Sequence, residues 1–148
     1  MVFRKATLED VEALVELRKQ QLLDEGSPPL ANIDDKLKEY FTRTLADNSF
    51  ISWLALKDDV VVATSGLCFY QLPPNFFNTS GGNAYVTNMF TVKEYRRQGI
   101  ATALLEKILF EARSLGFSVV RLHASADGQE LYTKFGFVPT DGYMALKF

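Results

Sequence analysis

The chain has a single cysteine, a single histidine and almost no excess of charge of either sign. Cys68 has no second thiol to pair with, so no internal disulfide holds the fold, and its place in an apolar run makes core packing its role rather than reactivity. With 16 basic residues against 18 acidic ones, the formal charge of −2 offers no general attraction to nucleic acid or to an anionic membrane, and neither is expected as a partner. No apolar run approaches the length of a membrane span, and Met1-Val2-Phe3-Arg4-Lys5 lacks the apolar stretch of a secretory signal, so a cytoplasmic location is the default expectation. The sequon Asn78-Thr79-Ser80 has no meaning in that setting. Internal repeats, low-complexity tracts, the Gly-Lys-Ser/Thr of a Walker loop and the Gly-x-Gly-x-x-Gly of a dinucleotide fold are missing as well. No metal is expected.

What is present suffices for one core. The 148 residues, 47% of them hydrophobic, are too few for two comfortable domains, so one domain over 1–148 is expected. A short strand opens the chain. Thr7 with Asp10 three residues on forms a capping box before a helix whose apolar face is Val11, Leu14, Val15 and Leu22; the stem of Arg18 lies along that face while its head reaches water. After Gly26-Ser27-Pro28-Pro29 a second helix runs from Asp34 to Leu45, with Leu37, Tyr40, Phe41 and Leu45 inward. The β-rich runs Phe50 to Leu56 and Val60 to Tyr70 flank Asp58-Asp59 and read as a hairpin. A loop, a strand from Ala84 to Val92, a helix over 99–115, a strand from Ser118 to Ala124 and a short helix from Asp127 to Phe135 follow. Closing strands are expected near 137–138 and 143–147. The order is β-α-α-β-β-β-α-β-α-β(-β), an α/β chain with a mixed sheet.

The most informative junction is Arg96-Arg97-Gln98-Gly99-Ile100-Ala101. It stands between an apolar strand and a helix whose stripe is Leu104, Leu105, Ile108, Leu109 and Ala112. At a helix start the first backbone N–H groups lack intrahelical partners and the macrodipole is positive, so an anion binds there without special side chains. Arg96 and Arg97 strengthen that field, and a guanidinium matches phosphate in a bidentate way. An ordinary glycine in an arginine-rich loop is the bland alternative.

The spacing Arg-x-x-Gly-x-Ala at Arg96, Gly99 and Ala101 resembles the Gln/Arg-x-x-Gly-x-Gly/Ala motif of the GNAT superfamily of N-acetyltransferases, which cradles the pyrophosphate of acetyl-CoA. Downstream, Leu131-Tyr132-Thr133-Lys134-Phe135-Gly136-Phe137 resembles that family's Leu-Tyr-x-x-x-Gly-Phe signature. The element order resembles the whole fold, which implies a mixed, mostly antiparallel central sheet flanked by helices. The chain departs from the pattern at Ser125 and Gly128, where many members have asparagine and alanine. The strand Met89-Phe90-Thr91 stands where the family often has Leu-x-Val, and Lys93 takes the place of a common proline.

The resemblance implies acetyl-CoA as acyl donor and no metal. The backbone of Arg96, Arg97, Gln98, Gly99, Ile100, Ala101 and Thr102 would hold the pyrophosphate, Met89, Phe90 and Thr91 the pantetheine arm, and Ser125 a pantetheine amide or a water. A primary amine, in a small molecule or a peptide, would attack the thioester directly in a ternary complex. A main-chain amide would orient the thioester carbonyl, and the Tyr132 phenol would protonate the leaving thiolate. An alkyl amine with a pKa of about 10.4 must first lose a proton. Asp24 and Glu25 are candidates for the base, although a solvated helix end is the favoured reading of both. His123 is another, although it reads better as a packed strand residue. The aromatics Phe69, Tyr70, Phe76, Phe77 and Tyr143 read as packing residues rather than as an acceptor pocket. Small members of the resembled family are often homodimers. Two other classes stay open: a non-catalytic acyl-CoA-binding sensor or regulatory module of the same fold, and an α/β interaction domain with an accidental loop.

Overall fold

A computed structural model describes residues 1–140 and 142–148. The first strand, β1 (Val2–Lys5), leads through a tight turn at Leu8–Asp10 into helix α1 (Val11–Asp24). The expected capping box forms there. Thr7 Oγ1 accepts the Glu9 N–H, and the Asp10 carboxylate accepts the Thr7 N–H at 2.7 Å. Both Asp10 oxygens also accept the Arg4 guanidinium, each at 2.8 Å. This fork and the backbone bond hold the buried Asp10 carboxyl below the usual carboxylate range against the opposing effect of burial. Helix α1 buries Val11, Leu14, Val15, Leu17 and Gln21. Gln21 lies seven residues after Leu14 on the same stripe, which is why it faces inward while Leu22 is only half-buried. Helix α2 (Asp34–Ala46) buries Phe41 and Thr44; Leu37, Tyr40 and Leu45 pack at the margin.

Strands β2 (Phe50–Lys57), β3 (Val60–Gln71), β4 (Gly82–Thr91) and β5 (Val120–Leu122) complete a five-stranded sheet in sequential order. Its first four strands run antiparallel, and β5 runs parallel to β4. The β2–β3 turn is made by Asp58 and Asp59, both left-handed (φ 49° and 63°), as a two-residue hairpin loop matched to strand twist requires. Alternation along β2 divides the core between two faces. Phe50, Leu54 and Leu56 join α1 and α2, whereas Ile51, Trp53 and Ala55 face helix α3 (Ile100–Ser114) and helix α4 (Gln129–Lys134). Gly66 on β3 makes room for the first of these layers, since a Cβ there would lie 2.6 Å from the Phe50 ring.

The fold is therefore α/β, with a mixed, mostly antiparallel sheet flanked by helices. Two local expectations need correction. Strand β5 has three residues rather than the seven from Ser118 to Ala124, because only Val120–Leu122 lie alongside β4. The closing strands expected near 137–138 and 143–147 are not formed: residues 136–140 and 142–148 carry no strand, as no neighbouring strand lies against them. Among the described residues no helix is long and apolar enough to cross a membrane.

The N-terminal fork generates a stability test. Asp10→Asn should cost about 1–3 kcal/mol in chemical denaturation, the range for hydrogen bonds to a charged group. Because the folded carboxyl is the stronger acid, its contribution is complete above the unfolded value and is lost as the pH falls below about 4. The variant should show a flatter acid limb than the parent chain.

Candidate active site

Helix α3 begins on a left-handed glycine. Gly99 has φ +79° and caps the helix without any side-chain hydrogen bond. No neighbour crowds it, so its glycine character serves the backbone angle rather than space. The Ala103 N–H bonds to the Gly99 carbonyl at 3.1 Å, which leaves the N–H groups of Ile100, Ala101 and Thr102 ahead of the first helical bond. Arg97 is also left-handed (φ 62°), so the backbone takes two left-handed residues within three positions before the helix begins. Arg97 and Gln98 are exposed, and Gln98 donates to the Glu94 carbonyl at 3.3 Å.

Arg96 has a different task from a simple phosphate contact. Its Nε donates to the Thr91 carbonyl and its Nη2 to Asp24, both at 2.8 Å, and its guanidinium lies 5.5 Å from the centre of the Phe90 ring. The side chain clamps the end of α1 and the end of β4 to the loop. Asp24 is accordingly an anchor, not merely a solvated helix end.

The second part of the site is a split in the sheet. Across β3 and β4 the register jumps from Thr64↔Phe90 to Gly66↔Thr87, so Asn88 and Met89 face one residue, Ser65. Asn88 is left-handed (φ 52°), and its carbonyl accepts the Thr64 hydroxyl at 2.8 Å. This is a β-bulge, which bends the strand and re-aims its backbone. The pairing of β4 with β5 stops at Val86↔Leu122, just before the bulge. Beyond that point a cavity of about 120 Å³ passes between the strands. Arg18 and Gln21 of α1, with Glu25 just past its end, line it from one face of the sheet, and Tyr132 of α4 from the other. Thr87, Asn88 and Met89 form one wall; His123 and Ser125 form the opposite one. A second, open depression of about 480 Å³ lies beside Phe90, Val92 and Arg96.

Tyr132 is buried, with its ring edge-on to Phe137 at 5.9 Å. Burial, then the neighbouring Glu25 carboxylate and the Tyr85 phenol, push its hydroxyl up to about 12. It is therefore a neutral donor throughout the neutral range. Gly128, in an ordinary helical conformation, is needed here for space: a Cβ would lie 2.7 Å from the Tyr132 ring. Ser125 Oγ accepts the Gly128 N–H at 3.2 Å, closing the turn that delivers α4. The two departures from the resembled pattern thus fit each other and the tyrosine.

Gln21 links the two halves of the cavity wall, donating from Nε2 to Glu25 at 3.0 Å and to the Met89 carbonyl at 3.4 Å. Arg18 donates to Gln21 Oε1 at 3.1 Å. Glu25 is the only carboxylate lining this cavity among the described residues. His123 is exposed rather than packed. Sequence reasoning missed Gln21 and the bulge. The second had a signal, since asparagine is unusual in mid-strand and is one of the few residues that tolerate a left-handed backbone. Of the aromatics expected to pack, Phe69 does so, stacking on Phe117 at 5.0 Å, whereas Phe76, Phe77 and Tyr143 are exposed, which corrects that expectation; none of them lines the cavity, whose wall includes Tyr85. Cys68 donates to the Tyr85 carbonyl at 3.6 Å, and burial pushes its thiol up, away from reactivity. No cluster of three or more His, Cys, Asp or Glu suited to a metal occurs among the described residues.

Known proteins share this fold. The model of the acetyltransferase (GNAT) family matches residues 12–137. A predicted acetyltransferase from Clostridium acetobutylicum, crystallised with acetyl-CoA, is 38% identical and superposes with a TM-score of 0.95 over 99% of this chain and 95% of its own. A GCN5-related N-acetyltransferase from Ralstonia eutropha JMP134 is 25% identical, with a TM-score of 0.90 over 99% and 97% of the two chains. Glucosamine-6-phosphate N-acetyltransferase from Arabidopsis thaliana, at 15% identity, a TM-score of 0.75 and coverage of 100% and 99%, shares the fold. Curated protein sequences contain no match. With a bulged, split sheet, a left-handed glycine opening α3 and a family match over most of its length, the chain belongs to the GNAT acetyltransferase family.

Proposed function

We propose that the protein transfers the acetyl group of acetyl-CoA to a primary amine, of a small molecule or a peptide, by direct attack in a ternary complex. The observation that carries this reading is the cavity through the sheet, which gathers the Tyr132 hydroxyl, the bulged backbone of β4 and the Glu25 carboxylate around one small volume. A similar protein crystallised with acetyl-CoA supports the choice of donor. The N–H groups of Ile100, Ala101 and Thr102, with the turn from Arg96 to Gly99, hold the pyrophosphate at the positive end of α3. Main-chain groups of Met89, Phe90 and Thr91 align the pantetheine arm, and one of the backbone amides there stabilises the oxyanion as the carbonyl is attacked. Ser125 lies on the opposite wall, where its hydroxyl hydrogen is free to meet a pantetheine amide or a water.

Tyr132 donates its phenolic hydrogen to the sulfur as the C–S bond breaks, and the proton released by the acylated nitrogen returns through water to the phenolate, leaving amide, CoA thiol and neutral tyrosine. Since burial pushes its pKa up, the hydroxyl keeps that hydrogen at neutral pH until sulfur calls for it. Glu25, directly or through water, accepts the proton that an ammonium acceptor must lose before attack. Gln21 positions it and, by its bond to the Met89 carbonyl, ties the base to the strand that orients the thioester.

Free CoA release from acetyl-CoA, followed by thiol detection over a panel of primary amines, tests the reading. Tyr132→Phe should lower kcat by about 100-fold or more, while KM for acetyl-CoA stays within about twofold, because the hydrogen bond forms mainly as charge develops on sulfur. Its pH–rate profile should keep the parent's basic limb, since a phenol near 12 does not titrate there. Gly128→Ala should displace the Tyr132 ring and reduce kcat in the same direction with little change in acetyl-CoA affinity. Gly99→Val should weaken CoA binding by about tenfold through backbone strain of about 1–2 kcal/mol at its left-handed position. Tight CoA binding with no transfer to any amine would instead establish a cofactor-sensing module.

A further inference from the structure

One wall of the cavity carries its charges in a fixed order. Arg18, Gln21 and Glu25 fall at i, i+3 and i+7, a single stripe of α1 that runs over two turns to the helix cap, and all three line the same volume. Arg18 Nη1 donates to Gln21 Oε1 at 3.1 Å, and Gln21 Nε2 donates to Glu25 at 3.0 Å. The Gln21 amide therefore stands between a cation and a carboxylate, its oxygen turned to the first and its nitrogen to the second.

Arg18 has donors to spare in this arrangement. Arg4 and Arg96 are each met by a carboxylate at 2.8 Å. Among the described residues Arg18 has no acidic partner, and its one hydrogen bond, of the five that a guanidinium can donate, goes to a neutral oxygen. It is half-buried, so water meets only part of the group. Arg121, paired across β4 and β5 with the cavity residue Tyr85, likewise has a buried Nε without a hydrogen-bond partner among the described residues. The cavity itself supplies one carboxylate, Glu25, and Gln21 keeps it apart from Arg18. A partly desolvated guanidinium in such a place is matched by an anion from outside.

We propose that the acceptor is a free α-amino acid, whose ammonium meets Glu25 while the Arg18 guanidinium grips its carboxylate. This rests on the acetyl-transfer reading above and narrows the acceptor from any primary amine to one with a carboxylate on the adjacent carbon. Gln21 is the template for the fit. On standard bond lengths the oxygen and nitrogen of an amide are about 2.3 Å apart, and the amine and nearer carboxylate oxygen of an α-amino acid about 2.7 Å apart. A zwitterion laid alongside the Gln21 amide thus reaches both charges in the same order, with an accepting oxygen at the Arg18 end and a donating nitrogen at the Glu25 end. The nitrogen end is also where Gln21 meets the Met89 carbonyl at 3.4 Å, so the amine is held beside the strand proposed to align the thioester. A plain alkylamine leaves the guanidinium unpaired, and a peptide N-terminus offers it only a neutral carbonyl, a hydrogen bond about half as strong as one to a carboxylate. The cavity volume of about 120 Å³, equal to about four waters, suits so compact a group.

CoA release measured over a panel of α-amino acids, each beside its C-terminal amide and its decarboxylated amine, tests this. For the preferred side chain the acid should exceed both neutral counterparts by about 100-fold in kcat/KM, the effect of hydrogen bonds to a charged group. Arg18→Gln should raise KM for the acid by about 100-fold and bring the acid-to-amide ratio within about threefold of one, with acetyl-CoA affinity by calorimetry within about twofold of the parent. Arg18→Lys, which keeps the charge without the planar fork, should recover part of the preference. A merely structural Arg18 would lower transfer to acid and amide alike, and that outcome overturns the proposal. Transfer to amides or plain amines as fast as to the acids overturns it too, while leaving the acetyltransferase reading in place. Acetyl-CoA binding without transfer to any amine removes both. Should Arg18→Gln fail to fold, the acid-to-amide ratios of the parent and of Arg18→Lys decide.

Discussion

Everything in the site depends on keeping β4 and β5 apart after Val86↔Leu122, and the bulge at Asn88 is the constraint that does so. Two parallel strands continuing in register would consume the facing main-chain groups of β4 and close the passage through the sheet. A left-handed residue in mid-strand breaks that continuity, and the bond from Thr64 to its carbonyl holds the break in place. The opening lets groups from opposite layers meet. Glu25 caps the end of α1, which packs with α2 on one face; Tyr132 belongs to α4, packed with α3 on the other. An unbroken sheet would separate them by its full thickness.

Around this opening, charge and packing act together. Burial removes water from the Tyr132 phenol, and the Glu25 carboxylate adds a negative neighbour; both disfavour the phenolate and keep a hydrogen on the oxygen. Gly128 and Ser125 set where that hydroxyl sits, one by leaving room for the ring and the other by closing the turn before the helix. On the other flank, Arg96 directs Nε to Thr91 and Nη2 to Asp24, so the end of α3 proposed to hold the pyrophosphate rests on backbone amides carried by a fixed loop. A cradle of this kind depends on chain direction more than on side-chain identity.

Local elements were legible because their causes are local. Gly99 before an apolar stripe announces a helix start; Thr7 and Asp10 announce a cap; Asp58-Asp59 between β-rich runs announces a tight hairpin. The closing strands were read from the same kind of pattern and did not form, because alternation of apolar residues specifies a strand's faces and not its partner. Likewise the helix periodicity that placed Val11, Leu14 and Val15 inward gave no reason to promote Gln21, whose partners include a carbonyl on β4. Asp24 and Glu25, adjacent in the chain and similar in chemistry, acquired different roles because successive helix positions face about 100° apart. Asp24 meets Arg96, and Glu25 meets the cavity.

By itself, then, the amino-acid order determined the α/β class, the helix N-terminus that suits a phosphate and the tyrosine-bearing segment downstream. Each rests on periodicity, capping or backbone freedom over a few consecutive residues. Only the tertiary structure decided which carboxylate reaches the cavity, that Arg96 is a clamp, that β4 parts from β5, and that the C-terminal strand pattern forms no strand among the described residues. Those outcomes depend on contacts between residues far apart in sequence, and their geometry exists only once the sheet and its two helical layers have packed.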